Sequence, residues 1–445
     1  MSADRYSPPS AVTGHWHAPV AAEAVQAVVA VPGSKSLTNR ELVLAASADG
    51  PSILQAPLHS DDSVRMIDAL TSLGVTVERL PGSGPFGPDL RITPPATVPA
   101  GGVVDCGQAG TVMRFVAPLA GFATGDVVVT AHESALHRPM GEMIRALREV
   151  GVDIDDGGAW ALPFTVRGRG HVRGGEVTID ASASSQFVSG LLLSGARFDV
   201  GLHLRHDGGR LPSIPHIDMT VEALARRGVH VEQPTPGEWI VPPGPIRAKD
   251  IAIEPDLSNA APFLAAALVT GGQVTVLGWP AHSTQPGAQL PELLAAFGAR
   301  SSRRHGALTV TAGDRLVGAD LDLSAVGELT PTLVGLALLA EGASTFTGIG
   351  HIRGHETDRL AALVANVRAL GGDAEELPDG IRVIPRTLGP GVWRAHHDHR
   401  LATTGALVGL AVAGVEVDDI GTTAKTMPEF PELWQRMLAG EDASA

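Results

Sequence analysis

Small, apolar helical stretches alternate with short Val-, Ile- and Leu-rich runs along the chain, and glycines mark the joints. Runs with strand character follow Gly50, Gly125, Gly201, Gly272, Gly342 and Gly414, at successive spacings of 75, 76, 71, 70 and 72 residues. Gly125-Asp126-Val127-Val128-Val129 and Gly414-Val415-Glu416-Val417 are examples. A second set of glycines, Gly74, Gly151, Gly228, Gly298, Gly371 and Gly440, follows the first by 24 to 29 residues. Before two of them, residues 63–73 and 140–150 repeat their apolar positions with the helical period, and glycine is the usual left-handed stop of a helix. The pattern predicts six α/β units of about 74 residues (445/6) that together fill the chain.

The helix starts carry the chemistry. The six first helices are predicted to open near Lys35, Gly110, Gln186, Asp256, Glu328 and Arg400, and the second helices near Asp61, Arg138, Ser213, Gln285, His355 and Lys425. Equivalent units run their helices parallel, so the N-termini converge and their N–H groups form an anion site. Asp61 and Asp256 read as ordinary caps. Lys35, Arg138, Arg359, Arg400 and Lys425 oppose the helix dipole, and an external anion would explain them.

Composition narrows the classes. Thirty-three basic against 48 acidic residues give a net charge of −15, unsuited to non-specific nucleic-acid binding, although local cations can still take small anions. A 44% apolar content excludes general disorder. No apolar run approaches the ~18 residues that span a bilayer, and Asp4, Arg5, Glu23 and Gln26 interrupt any signal-peptide core. A soluble cytoplasmic protein is expected. The single cysteine, Cys106, excludes an internal disulfide framework. Lysine is confined to Lys35, Lys249 and Lys425 in an arginine-rich chain. Lys249 reads as a solvated surface residue, whereas the other two stand among polar motifs.

Pro32-Gly33-Ser34-Lys35-Ser36, followed by Asn39-Arg40, is phosphate-loop-like, but Ser34 stands where a Walker A loop needs glycine. Cys106-Gly107-Gln108-Ala109-Gly110-Thr111 opens a helix containing Arg114, and its glycines allow a carboxylate to approach the backbone. Ser184-Ser185-Gln186 offers neutral donors for a phosphate. The pairs in His396-His397-Asp398-His399 and His203-Leu204-Arg205-His206 invite a metal, but no HExxH exists and a metal is not expected. Cys106 lacks an identifiable histidine partner and reads as a buried structural thiol.

Together with Arg138-Pro139, Glu356-Thr357-Asp358-Arg359, Asp398-His399-Arg400 and Thr423-Ala424-Lys425-Thr426, these motifs are specific in order and spacing. Over nearly its whole length the chain resembles the 5-enolpyruvylshikimate-3-phosphate synthase family of enolpyruvyl transferases. The resemblance implies a two-lobed inverse α/β barrel of six βα repeat units, three per lobe, with the active site in the interlobe cleft. One lobe would be 34–254, carrying most shikimate-3-phosphate contacts. The other would be 1–33 plus 255–445, closing over the substrates. It also implies transfer of the enolpyruvyl group of phosphoenolpyruvate to the 5-hydroxyl of shikimate 3-phosphate by addition and elimination. No metal or organic cofactor is implied, and a monomer and inhibition by glyphosate are expected.

Carried over residue by residue, Lys35, Ser36, Arg40, Ser184, Ser185, Gln186, Ser213, Glu328 and His355 are implied contacts of shikimate 3-phosphate. Lys35, Gly110, Arg138, Gln186, Arg359, Arg400 and Lys425 are implied contacts of phosphoenolpyruvate. Glu328 is the expected base, with Lys35 and Glu356 delivering protons. Gln108, His216, His355, Leu401 and Thr403 depart from the residues frequent in the family. A paralogue using another cyclic acceptor is one alternative, and a catalytically silent anion-binding protein is another. A UDP-N-acetylglucosamine enolpyruvyl transferase would carry a reactive cysteine around 132–138, and that stretch has none. At His355, Glu356 and a dianionic ligand are both expected to favour the imidazolium, with bound substrate raising its pKa above ~6.5.

Overall fold

Residues 15–441 are described in the computed structural model of this chain. Asp4 and Arg5, read above against a signal peptide, lie outside the described residues. The chain divides into two units. A contiguous unit comprises Gly33–Ile253, and a split unit comprises the described parts of Met1–Pro32 and Glu254–Ala445. Among the described residues there are twelve α-helices, six in each unit.

In the contiguous unit these are α1 (Lys35–Ala46), α2 (Asp61–Ser72), α3 (Gly110–Ala120), α4 (Gly141–Glu149), α5 (Gln186–Gly195) and α6 (Ile214–Arg226). The odd-numbered members are almost wholly buried: α3 and α5 are predominantly apolar, α1 buries Asn39, Arg40 and Glu41 along with its apolar residues, and α3 leaves only Gly110 of its eleven residues outside the buried class. A helix with no polar face must sit inside. The even-numbered members are amphipathic, with α6 burying Ile217, Met219, Thr220, Ala223 and Leu224. Small residues let the inner helices approach closely. A Cβ on Gly190 of α5 would lie 2.3 Å from the Arg114 carbonyl of α3.

Three separate sheets pack outside these helices. Val103–Asp105, Asp126–Thr130, Phe164–Arg167 and Asp153–Asp155 form one, and Gly175–Ile179, Leu202–His206 and Glu238–Val241 another. In both, the strand before the inner helix pairs in parallel with the strand after it, and the remaining pairings are antiparallel. The third sheet, built on Ser52–Gln55, obtains its parallel neighbour from the far end of the unit, Ile251–Ala252. Alternating burial such as exposed Asp126, buried Val127 and exposed Val128 turns one face of each sheet to the helices.

The split unit repeats the plan with α7 (Ala261–Thr270), α8 (Leu290–Ala296), α9 (Thr330–Leu339), α10 (Arg359–Ala369), α11 (His399–Gly409) and α12 (Phe430–Leu438). Here α7, α9 and α11 are the inner helices, and Gly335 of α9 faces Thr404 and Leu407 of α11. The chain's early strand Gln26–Val29 pairs in parallel with Gln273–Leu277, completing a sheet whose other strands follow 247 residues later (273 − 26). Phe430 and Trp434 stack on each other and meet Phe263 edge-on where α7 meets α12. Six helix-inside, sheet-outside units are therefore present, the inverse α/β class expected from the sequence, with three small sheets rather than one continuous sheet in each unit.

Several helices start later than the sequence pattern predicts. Asp256, Glu328, Gln285, His355 and Lys425 precede helices that begin at Ala261, Thr330, Leu290, Arg359 and Phe430, and Arg138 precedes α4 by three residues. Short 3₁₀ turns fill two of these gaps, Pro286–Gln289 before α8 and Gly327–Leu329 before α9, while those at Gly350–Gly354 and Ile420–Lys425 end just before the gaps that lead to α10 and α12. Their tighter winding places polar side chains ahead of the helix rather than on its first turn.

Candidate functional site

In the contiguous unit, the starts of the inner helices are tied together by side chains. Ser34 caps α1, its hydroxyl accepting from the Leu37 N–H at 3.4 Å. Asn39 Nδ2 donates to Thr111 Oγ1 at 2.7 Å, joining α1 to α3, and Arg114 donates to Gln186 Oε1 at 3.1 Å, joining α3 to α5. Gly110, Arg114, Arg138 and Gln186 converge. A Cβ on Gly110 would lie 2.7 Å from the Arg114 guanidinium, 3.4 Å from Gln186 Oε1 and 3.7 Å from Arg138. Arg138 is anchored by donating to the Gln108 carbonyl at 2.7 Å.

Lys35, the first residue of α1, lies 3.5 Å from Asp62, a buried carboxylate on the first turn of α2. Arg40 is 1% exposed and donates to Thr220, Ser189 and the carbonyls of Ser36 and His216, with Phe115 beneath its guanidinium. Much of its donor capacity therefore goes to holding α1, α5 and α6 in register. Ser184 accepts from the Gln186 N–H, and Ser185 precedes α5 as a buried residue. Ser213 enters α6 with φ of 51°, a left-handed conformation that a non-glycine residue adopts at some cost.

In the split unit, Arg359 is the hub. It is 2% exposed, donates Nε and a terminal nitrogen to the two oxygens of Asp398 at 2.7 and 3.2 Å, and donates to Glu356 at 2.9 Å. Glu356 turns its other oxygen to Lys425 Nζ at 2.7 Å. Burial alone would depress the Arg359 guanidinium, but the Asp398 and Glu356 carboxylates more than reverse it and hold the pKa above its usual value. Asp398 also caps α11 by accepting from the Arg400 N–H, after a turn in which His396 and His397 both adopt positive φ. Glu328 sits on the 3₁₀ turn before α9 and accepts from Ser258 Oγ at 3.2 Å.

The expected external anions are thus partly pre-empted. Asp62 stands beside Lys35, and Glu356 stands between Arg359 and Lys425. Among the described residues, the Arg400 guanidinium makes no hydrogen bond or ion pair. His355 also departs from expectation. Burial first, and then the neighbouring Arg359 charge, hold its imidazole well below the ordinary histidine pKa, outweighing Glu356. Arg359 donates to His355 Nδ1 at 3.0 Å, so this nitrogen is an acceptor and the ring is neutral. Neither Asp62 nor Asp398 was assigned a role from the sequence, although Asp398 lies within a quoted motif. Nothing in local sequence marks a carboxylate that faces a cation 39 residues away.

The metal-like histidine pairs are used otherwise. His203 bonds Glu238 at 2.7 Å, while His206 accepts from the Ala181 N–H and meets the Gly209 carbonyl. Among the described residues, no group of three or more His, Cys, Asp or Glu side chains is placed to hold a metal ion. No helix of the described residues is long and apolar enough to cross a membrane.

The chain matches the EPSP synthase (3-phosphoshikimate 1-carboxyvinyltransferase) family over residues 20–434. It is 52% identical over 433 residues to a 3-phosphoshikimate 1-carboxyvinyltransferase of Kocuria rhizophila, covering 96% of this chain and 97% of the relative. A protein of the same name from Mycobacterium ulcerans is 49% identical over 431 residues, covering 96% and 98%. Among solved structures, an EPSP synthase from Acinetobacter baumannii superposes with a TM-score of 0.78 at 24% identity, covering 96% of this chain and 98% of that one, which shows the shared fold.

Cys106 lies between the strand Val103–Asp105 and α3 and is fully buried. Burial, reinforced by Asp105, pushes its thiol up to about 12 against the opposing charge of Arg114. At neutral pH the nucleophilic thiolate is scarce. Native protein should therefore resist a thiol-specific reagent and react at one site only after unfolding. Stoichiometric labelling of the folded chain within minutes would contradict this burial.

Proposed function

The chain belongs to the EPSP synthase family, and from that membership and the two residue clusters we propose that it transfers the enolpyruvyl group of phosphoenolpyruvate to the 5-hydroxyl of shikimate 3-phosphate. The products are 5-enolpyruvylshikimate 3-phosphate and phosphate, a step towards aromatic amino acids. The observation that carries this reading is roughly half identity over nearly the full length to enzymes of that name.

In the reaction, the hydroxyl oxygen bonds to C2 of phosphoenolpyruvate while C3 gains a proton, giving a tetrahedral ketal. Loss of a proton from C3 and of phosphate from C2 then leaves the enol ether. We assign Glu328 as the base for the hydroxyl, and Lys35 and Glu356 as the groups that move protons at C3. Lys35, Ser36, Arg40, Ser184, Ser185, Gln186, Ser213, Glu328 and His355 are assigned to shikimate 3-phosphate, most of them from the contiguous unit. Gly110, Arg138, Arg359, Arg400 and Lys425, with Lys35 and Gln186, are assigned to phosphoenolpyruvate. The support is chemical. Both substrates are polyanions, Arg suits bidentate oxyanion binding, and the uncommitted Arg400 guanidinium and the Gly110 opening are suited to receive one. The Glu356 carboxylate, now bonded to Arg359 and Lys425, is placed to exchange partners when an anion arrives.

We further assign the protein to the cytoplasm as a monomer working without metal or organic cofactor. Phosphate release from phosphoenolpyruvate should require shikimate 3-phosphate, persist in a chelator, and fail with UDP-N-acetylglucosamine. Release with the sugar nucleotide alone would overturn the assignment. In the same assay Cys106→Ser should keep most of the rate, and a loss beyond about a hundredfold would bring back a thiol mechanism.

Glyphosate, an anion, is proposed to compete with phosphoenolpyruvate beside Gly110. Gly110→Ala places a Cβ 2.7 Å from Arg114, so the inhibition constant should rise by about tenfold or more. An unchanged constant would remove the inhibitor from this position.

His355 sets a pH dependence. Its pKa is held well below the ordinary value in the free protein, and a dianionic ligand raises it. Protons are then taken up between the lowered and raised values, a window that opens on the acid side of ~6.5. Binding of shikimate 3-phosphate should strengthen as pH falls through the raised value, and His355→Lys, charged throughout, should flatten the response. Calorimetry in two buffers of different ionisation enthalpy counts these protons. Equal uptake by wild type and His355→Lys from pH 5 to 7 would show that another group titrates.

A further inference from the structure

His351 has no role in the scheme above, yet it lies against the turn that carries Glu328. It belongs to the 3₁₀ turn Gly350–Gly354, which packs on the turn Gly327–Leu329. Its Nε2 points at the residue before Glu328, for a Cβ on Gly327 would lie 2.6 Å from that nitrogen. Gly327 is thus a place where only glycine leaves the imidazole room. Among the described residues, Nε2 is buried and has no hydrogen-bond partner. A buried ring nitrogen without a partner is costly and calls for a reason. The ring is fixed from the other side by an edge contact with His355, with centroids 5.7 Å apart.

The charged groups facing His351 are Glu328, Asp379, Arg359 and the His355 ring. Burial holds its pKa below the ordinary value, Glu328 and Asp379 oppose this, and Arg359 adds to it. The Gly348 carbonyl also meets the ring. With Nε2 unpartnered, that bond uses Nδ1–H, which leaves Nε2 as a free lone pair in the neutral ring.

We propose that His351 is a positioning residue for Glu328, the two forming a unit that binds a single proton on either the carboxylate or Nε2. This rests on the reading of Glu328 as the base. The base has its full strength only when the pair is empty, and a pair that can hold the proton at either of two sites fills at higher pH than the carboxylate alone. A proton on Nε2 also places a cation beside the carboxylate and weakens it as a base.

The test follows kcat and KM for both substrates by phosphate release from pH 5 to 9, in wild type, His351→Gln and His351→Asn. The amides keep polarity and volume but do not titrate. In either variant that folds, the acid limb of the kcat profile should move to lower pH by roughly half to one unit. Both KM values should stay within about threefold of wild type. An acid limb at the wild-type position, or a loss of rate that is the same at every pH, would overturn the proposal. Glu328→Gln separates the two readings. If it keeps more than about a tenth of wild-type turnover, the assignment of Glu328 as base has failed. If it is inactive while the His351 variants retain the wild-type acid limb, that assignment stands and only the pairing with His351 is lost.

Discussion

Helices with no polar face set the terms for everything else in this protein. α3, α5, α7 and α9 have nowhere to put an outward side, so each unit must enclose its inner helices within amphipathic helices and small sheets. Close approach at Gly190 and Gly335 then brings the starts of neighbouring inner helices together within each unit. At those starts backbone N–H groups have no helical partners, and the polar residues of the repeat sit among them. Packing inside each unit thus decides where its anion-binding chemistry can be.

The contiguous unit spends much of its polarity on alignment. Arg40 stitches three helices, and Arg227, wholly buried, donates to Glu41 at 2.8 Å and to Ser52. Removing one partner of such a pair strands the other charge, at a cost of about 3–5 kcal/mol. Around Gly110 the residues are instead separated by little more than a missing methyl group. A side chain at Gly110 would meet Arg114, Gln186 and Arg138.

The split unit is organised by linked charges. Asp398 fixes Arg359 with both oxygens, which leaves Glu356 to bridge Arg359 and Lys425 and leaves His355 to accept from Arg359. One guanidinium thereby orients two carboxylates and an imidazole. This explains why His355 is neutral despite its acidic neighbour: burial and the Arg359 cation outweigh Glu356.

The sixfold repeat, the two helices of each unit and most residues of both clusters were legible in the sequence, because glycine stops, apolar periodicity and helix-start polarity are local properties. Lys35, Gly110 and Gln186 begin helices as their surroundings predict. The late starts of α8 and α9 were not legible, since a 3₁₀ turn and the first turn of an α-helix share the same local composition. Only the tertiary structure decided that Ile251–Ala252 and Gln26–Val29 each complete a sheet far from them in sequence. It alone also put Asp62 beside Lys35, Asp398 beside Arg359 and His351 beside Gly327. Pairings of this kind depend on which surfaces meet after the helices are buried, and no spacing along the chain encodes them.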